Sequence, residues 1–175
     1  MGYQLTESQF DELMDYLSLL NKELKKCKKA KAYYAGCFVL GGILEGMLLS
    51  TIHCFPEEVD QALSSLSKKD SRISESPLHW TLADMLWISF GAGWFPFKGT
   101  DDPEQGELGD WLLNFVKELR NLIHPGKKLR DYSKVKISKK HFKAAREFIE
   151  LAKGELLEKI ETNLIQAAAE EEEAK

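Results

Sequence analysis

The strongest constraint on the fold of this chain is the segment Tyr33–Ile52, which is apolar on almost every face. A helix of that character is either the buried core helix of a bundle or a membrane span. Glu45 stands in its middle, and a carboxylate at the centre of a bilayer costs about 2.5–3.5 kcal/mol on insertion scales. Because the chain has no second hydrophobic span, we expect a central core helix in a soluble protein, with a membrane span as the alternative.

A core helix predicts that Glu45 is buried, and a buried carboxylate requires a partner. We expect that partner to be Arg120, Tyr33 or Tyr34. A contact with Arg120 would make Glu45 a supporting residue of a site that contains this arginine. Glycines in the same segment should let neighbouring helices approach closely. They are Gly36, Gly41, Gly42 and Gly46.

Apolar residues elsewhere in the chain also recur at helical spacing, with cap or turn signals between most of the segments. We therefore expect an all-α helical bundle of about five to six helices, with residues 1–165 forming a single helical domain and residues 166–175 a disordered acidic tail. The expected boundaries are a first helix from about Glu7 into Lys25–Lys31 with a capping box at Thr6–Gln9, a short helix at Pro56–Leu66, a helix with Ser76 as N-cap and Pro77 as its first residue, a loop at Gly91–Gly109, and a final helix capped by Ser138.

Three tryptophans, Trp80, Trp87 and Trp94, recur at seven-residue spacing. Such a row is one way to build a platform on which RNA bases stack. Tryptophans at helical spacing more often fill a core or an interface, and we expect that role here.

One amphipathic helix ends in the sequence Arg120-Asn121-Leu122-Ile123-His124-Pro125-Gly126. The apolar residues of its preceding turns mark a buried face, and that pattern places Arg120 and His124 one turn apart on the outer face, flanked by Lys117 and Asn121. A guanidinium beside an imidazole can bind a phosphate and transfer a proton near neutral pH. The same pair can instead stabilise the helix C-terminus through the macrodipole, so both interpretations stay open.

Positive charge is concentrated around this pair. Between Lys117 and Arg146 there are eleven Lys and Arg residues and two acids, a net +9 in a chain whose net charge is −4. A basic segment of this kind predicts a polyanionic partner that binds with salt-dependent affinity, and a solvated Lys-rich surface is the alternative. The RNA-binding residues that we expect are Lys117, Lys127, Lys128 and Arg130.

Composition argues against several other classes of protein. The cysteines Cys27, Cys37 and Cys54 are odd in number and form no Cys-x-x-Cys pair, and no cleavable signal is evident at the N-terminus. Both features favour the reducing cytoplasm. No residue spacing points to a metal site, and we expect no cofactor.

Three segments of the chain form a recognisable set. They are Gly41-Gly42-Ile43-Leu44-Glu45, then Trp80-Thr81-Leu82-Ala83-Asp84 with Gly93-Trp94, and Leu119-Arg120-Asn121-Leu122-Ile123-His124-Pro125. Together they resemble bacterial members of the HEPN superfamily, and the resemblance spans roughly Ala30 to Ile160. It implies an all-α helical bundle that is typically dimeric and, in many members, a metal-independent ribonuclease of toxin–antitoxin, abortive-infection or CRISPR systems. The family motif places four to six residues between its Arg and its His, whereas this chain has three.

The resemblance implies that His124 takes the proton of a ribose 2′-hydroxyl, Arg120 stabilises charge on the phosphate, and Asn121 orients one of them. The partners it implies are RNA, a second copy of the chain in a homodimer, and an antitoxin or other partner protein. Two alternatives remain. One is a non-catalytic helical module that binds RNA or a protein through the basic segment, and the other is a structural dimer in which the motif caps a helix.

Overall fold

Helices make up all regular structure in the described part of this computed structural model, which covers residues 3–65, 76–95, 103–123 and 137–173. Within these ranges, the side chains of residues 103–108, 120, 122–123 and 166–173 are not described. The predicted all-α class is confirmed. The elements are α1 (Glu7–Lys29), α2 (Tyr33–Cys54), α3 (Pro56–Ser65), a 3₁₀ turn (Pro77–His79), α4 (Leu82–Gly91), α5 (Pro103–Ile123) and α6 (Lys139–Glu173).

Helix α2 forms the centre of the bundle, since it contacts each of the other five helices and the 3₁₀ turn. Its residues Leu40, Leu44, Leu48 and Ile52 are at most 1 % exposed. By length and composition α2 could cross a membrane, but 61 % of its most apolar 18-residue window is buried inside the bundle. That burial is what the apolar segment requires of a core helix.

Close approach of neighbouring helices to α2 depends on its glycines, as predicted. A Cβ atom added at Gly46 would lie 2.7 Å from the side chain of Leu17 on α1, and one added at Gly41 would lie 2.9 Å from Leu119 on α5. Both contacts are with the ends of leucine side chains, which would have to shift to admit a Cβ, so the helices approach most closely with glycine at these positions.

The prediction that Glu45 is buried is wrong. Helix α2 packs mainly against α1 and α6, and a narrow strip of its surface faces solvent, where Glu45 and Tyr34 are exposed. The carboxylate therefore has no need of a buried partner such as Arg120. Desolvation by the neighbouring apolar surface nevertheless raises the pKa of Glu45.

The first helix begins as predicted, with Thr6 as N-cap and a capping box to Gln9. The expected start at Ser76 is confirmed only for a single 3₁₀ turn, Pro77–His79, with Pro77 as its first residue, and the Ser76 side chain makes no cap. The helix begins instead at Leu82, where Thr81 accepts from the backbone N–H of Asp84 and the Asp84 carboxylate accepts from that of Thr81. This reciprocal pair satisfies two helix-end donors, which a lone Ser-Pro does not.

Two other boundaries differ from the sequence expectation. Helix α5 begins at Pro103, inside the segment Gly91–Gly109 that we predicted to be a loop. Proline suits the first helical position, and the packing of the turns that follow outweighs the cost of two glycines, about 1 kcal/mol each. Helix α6 continues to Glu173, through most of residues 166–175 that the composition predicts to be disordered. That stretch is rich in alanine and glutamate, which are strong helix formers.

The three tryptophans do not share one surface. Trp80 and Trp94 are buried, at 4 % and 5 % exposure, whereas Trp87 is 47 % exposed. The indole Nε1–H of Trp94 donates to Glu58 at 2.6 Å, and Lys159 of α6 donates to the other oxygen of Glu58 at 2.9 Å. The core role expected for these residues is confirmed for Trp80 and Trp94. Through its two hydrogen bonds, Glu58 connects α3 to α6 and to the segment that follows α4.

Candidate functional site at the end of helix α5

Helix α5 carries the predicted motif in its last turn. Its buried face is the one that the sequence indicates, with Leu112, Phe115 and Leu119 at 0 %, 9 % and 8 % exposure. Lys117 is exposed, also as predicted. The described part of α5 runs to Ile123, so Arg120 and Asn121 belong to its last described turn, and His124 follows outside the described residues.

Several predicted site residues lie outside the described part of the chain. The backbone of Arg120 belongs to α5, but its side chain is not described, and His124, Lys127, Lys128 and Arg130 fall in the interval 124–136 that follows. The juxtaposition of the guanidinium with the imidazole therefore stays a prediction.

Asn121 does not lie on the outer face, where the helical period places it. It is 5 % exposed and interacts with a neighbouring group. The last turn of α5 is therefore covered on its polar side as well as on its apolar side, which a helical wheel with a single packing partner does not predict. A side chain buried to this extent packs within the protein rather than facing a ligand in solvent.

A cavity of about 300 Å³ opens beside the last turns of α5, between α2, α5 and the start of α6. Its floor is apolar and closed to solvent, with Cys37, Leu119 and Ala145 at 3 %, 8 % and 2 % exposure. The volume is at the lower end of the range for small-molecule sites, roughly 300–1,000 Å³. It suits one ring system rather than a large ligand.

An aromatic stack keeps this space open. The ring of Trp111 lies parallel to the rings of Phe148 and Phe115, with centroids 4.2 Å and 4.9 Å away. These two contacts fix the indole, which lines the cavity without filling it. The residues opposite, Ala144 and Ala145 on α6, are too small to fill it either.

Polar side chains surround the mouth of the cavity. Asn114, Glu118 and His141 line it and are all exposed. The backbone N–H of Ser138 donates to Nδ1 of His141 at 3.1 Å, and the Ser138 hydroxyl lies 2.9 Å from the same nitrogen. A neutral imidazole that accepts at Nδ1 carries its proton on Nε2, so His141 presents an N–H donor on its other side.

The charges near the mouth are mostly positive. Lys139 and Lys140, in the first turn of α6, and Lys117 on α5 are exposed. Lys143 forms an exposed ion pair with Glu147 at 3.3 Å. Exposed lysines attract phosphate over a distance of about 8–10 Å at moderate ionic strength.

The thiol of Cys37 is unreactive at neutral pH. Desolvation by burial raises its pKa from 9.0 to about 11, so the thiol is protonated at neutral pH. A nucleophilic cysteine needs the thiolate, and Cys37 is therefore part of the cavity wall rather than a catalytic group.

Sequence reasoning missed the cavity and the residues at its mouth. The prediction that the final helix begins directly after Ser138 is confirmed, but the Ser138 hydroxyl lies against Nδ1 of His141, a contact that the Ser-x-x-His spacing allows and the prediction did not include. Asn114 and Glu118 are four positions apart, a spacing that places both on one face of a helix. Nothing in the sequence indicates that α6 lies opposite that face.

The residues that the structure describes contain no group of three or more His, Cys, Asp or Glu side chains able to hold a metal ion. No protein-family model, curated protein or solved structure matches this chain.

Proposed function

We propose that this chain is a HEPN-like, metal-independent endoribonuclease of the toxin or phage-defence type, with Arg120 and His124 as its catalytic residues. The observation that carries the proposal is the motif Arg120-Asn121-x-x-His124 at the end of α5, inside a segment of net charge +9. The exposed Lys117, Lys139 and Lys140 beside that helix end give it further support.

The reaction is an internal transesterification. His124 takes the proton of the ribose 2′-hydroxyl, the 2′-oxygen forms a bond to phosphorus, and the bond from phosphorus to the 5′-oxygen breaks. Arg120 donates to the phosphate oxygens as negative charge grows on them. Water protonates the departing 5′-oxygen, which leaves a 2′,3′-cyclic phosphate and a 5′-hydroxyl.

The role of Asn121 differs from the one implied by the resemblance. Because the Asn121 side chain is buried, we assign it to holding the last turn of α5 in place instead of to contact with the RNA. Asn121→Ala should therefore lower thermal stability together with activity, since removal of one partner leaves a buried group unsatisfied at a cost of about 1–3 kcal/mol.

The test uses end-labelled single-stranded RNA in buffer containing EDTA. Wild-type protein should cleave it, and Arg120→Ala and His124→Ala should each abolish cleavage without loss of helical circular dichroism. His79→Ala and Lys25→Ala, which change exposed residues of other elements, are the matched controls and should cleave like the wild type. RNA that stays intact over hours with the wild type contradicts the proposal.

A non-catalytic binding module is the second candidate function. The burial of Asn121 favours it, because one of the three predicted catalytic groups is then structural. In that case the protein binds RNA in a salt-dependent manner and releases it intact. His124→Ala then costs about 0.3–1 kcal/mol of stability, the value of a cation at a helix C-terminus.

A further inference from the structure

We propose that the cavity between α2, α5 and α6 is a binding pocket for a nucleobase. The inference rests on the proposed function, because the base that we assign to the pocket belongs to a nucleotide of the RNA substrate. It adds a recognition site to a reaction that otherwise needs only the phosphate and the 2′-hydroxyl.

The shape and lining of the cavity favour a flat, uncharged ring. The space of about 300 Å³ is bounded by the stacked rings of Trp111 and Phe115 on one side and by Ala144 and Ala145 on the other. Aromatic walls hold bases by stacking, which is worth about 1–3 kcal/mol per base. The buried apolar floor, with Cys37 in its protonated form, excludes a phosphate because a desolvated anion there would have no counter-charge.

The polar groups at the mouth match the edge of a base. His141 offers an Nε2–H donor, because its Nδ1 already accepts from the backbone N–H of Ser138. Asn114 offers an amide with both a donor and an acceptor. Every nucleobase carries donor and acceptor atoms around its ring edge, whereas a purely apolar ligand would leave these two side chains without a role.

The position of the cavity links it to the proposed reaction. Glu118 and Leu119, which line it, directly precede Arg120 on α5, and two residues of α-helix correspond to a rise of about 3 Å. Lys139 and Lys140 lie on the opposite side, in the first turn of α6 next to His141. A nucleotide whose base occupies the cavity would keep its phosphate outside, among these charges.

The first measurement is calorimetric titration of the whole protein with adenosine, cytidine, guanosine and uridine monophosphates, with ribose 5-phosphate as the ligand that lacks a base. At least one nucleotide should bind about tenfold or more tightly than ribose 5-phosphate. Equal affinity for all five compounds overturns the proposal.

The second measurement compares a single-stranded RNA with the same strand carrying abasic nucleotides, whose backbone charge is identical. Wild-type protein should bind the abasic strand about tenfold more weakly. Ala144→Leu, which fills the cavity at a half-buried position, should remove this difference, and His141→Ala should reduce it. Ala35→Leu makes the same change at an exposed position of α2, outside the cavity lining, and should keep the wild-type difference.

Failure of the pocket and failure of the proposed function give different results. If RNA is cleaved but neither the abasic strand nor Ala144→Leu changes binding, the pocket is refuted and the ribonuclease stands. If mononucleotides bind and Ala144→Leu abolishes that binding while RNA stays intact, the pocket stands for a free nucleotide and the ribonuclease is refuted.

Discussion

The thiol of Cys37 illustrates how strongly the position of one residue determines its chemistry. It occupies the floor of the cavity at 3 % exposure, and burial raises its pKa from 9.0 to about 11. Cys54, at the end of α2, has a pKa raised by the same cause. None of this is visible in a sequence that shows three scattered cysteines.

Stability should therefore fall in alkaline solution because of Cys37. An unfolded thiol ionises near pH 9, whereas the folded thiol keeps its proton to about pH 11, so unfolding releases a proton between these values and the free energy of unfolding decreases as pH rises. The loss reaches about 2–3 kcal/mol above pH 11. Below about pH 8 this thiol is protonated in both states, so it does not make the free energy of unfolding depend on pH.

The measurement is urea unfolding of wild type and Cys37→Ala from pH 7 to 11. The variant starts from a lower stability because a buried side chain is truncated, but its curve should be flatter above pH 9 than that of the wild type. Cys27→Ala is the control and should keep the wild-type slope. Parallel curves for all three proteins would show that Cys37 is not desolvated.

At the scale of the helix, two glycines predict opposite effects of the same substitution. A Cβ added at Gly36 would lie 2.5 Å from the ring of Phe142, which is itself buried and packed against Tyr33. Gly36→Ala should lower the free energy of unfolding by about 1–3 kcal/mol through overpacking. Nothing lies within 4 Å of a Cβ at Gly154, so Gly154→Ala should raise it by about 0.5–1 kcal/mol.

Thermal and urea unfolding followed by circular dichroism measure both effects. If Gly36→Ala is neutral, the α2–α6 crossing is looser than described. A destabilising Gly154→Ala would mean that this turn of α6 has a neighbour.

The sequence predicts elements well where a local pattern decides them and poorly where a neighbouring helix decides them. An apolar surface on every side of Tyr33–Ile52 leaves α2 no place except the core, and the Thr6–Gln9 capping box marks a helix start by itself. The helical pattern predicts that Glu45 is buried and Asn121 exposed, and the structure has the reverse. Both depend on which helices cover which side, and neither can be read from one helix alone.

The candidate site likewise combines features that the sequence predicts with features that it does not. The motif at the end of α5 and the exposed Lys117 follow from spacing in one helix. The cavity requires α2, α5 and α6 together, with small residues on one wall and an aromatic stack on the other. Its lining extends from Cys37 to Ala145, more than a hundred residues apart in the chain, so no local pattern reveals it.

At the scale of the whole molecule, charge is strongly segregated along the chain. Residues 117–146 carry a net +9 and the rest of the chain a net −13. Our proposal of an RNA partner predicts that an anionic polymer binds through residues 117–146 and not through the acidic remainder.

Salt dependence measures this directly. Replacing Lys127, Lys128 and Arg130 with glutamine should weaken binding of single-stranded RNA uniformly across sequences. If all three contact phosphates, it should also lower the slope of log affinity against log salt by about 2. The same change at Lys22, Lys25 and Lys29, exposed residues of α1, alters the net charge equally and should leave the slope unchanged. Equal slopes for the two triple variants would show that the basic segment is ordinary solvated surface.

The chemistry of cleavage tests the central claim most directly. A DNA strand with a single ribonucleotide, incubated with the wild-type protein in EDTA, should be cut only on the 3′ side of that nucleotide, because the attacking group is its 2′-hydroxyl. Mass spectrometry should find a 2′,3′-cyclic phosphate on one product and a 5′-hydroxyl on the other, and His124→Ala should give neither. A strand that remains uncut, or one cut at deoxyribonucleotides or left with a 3′-hydroxyl, would contradict the account.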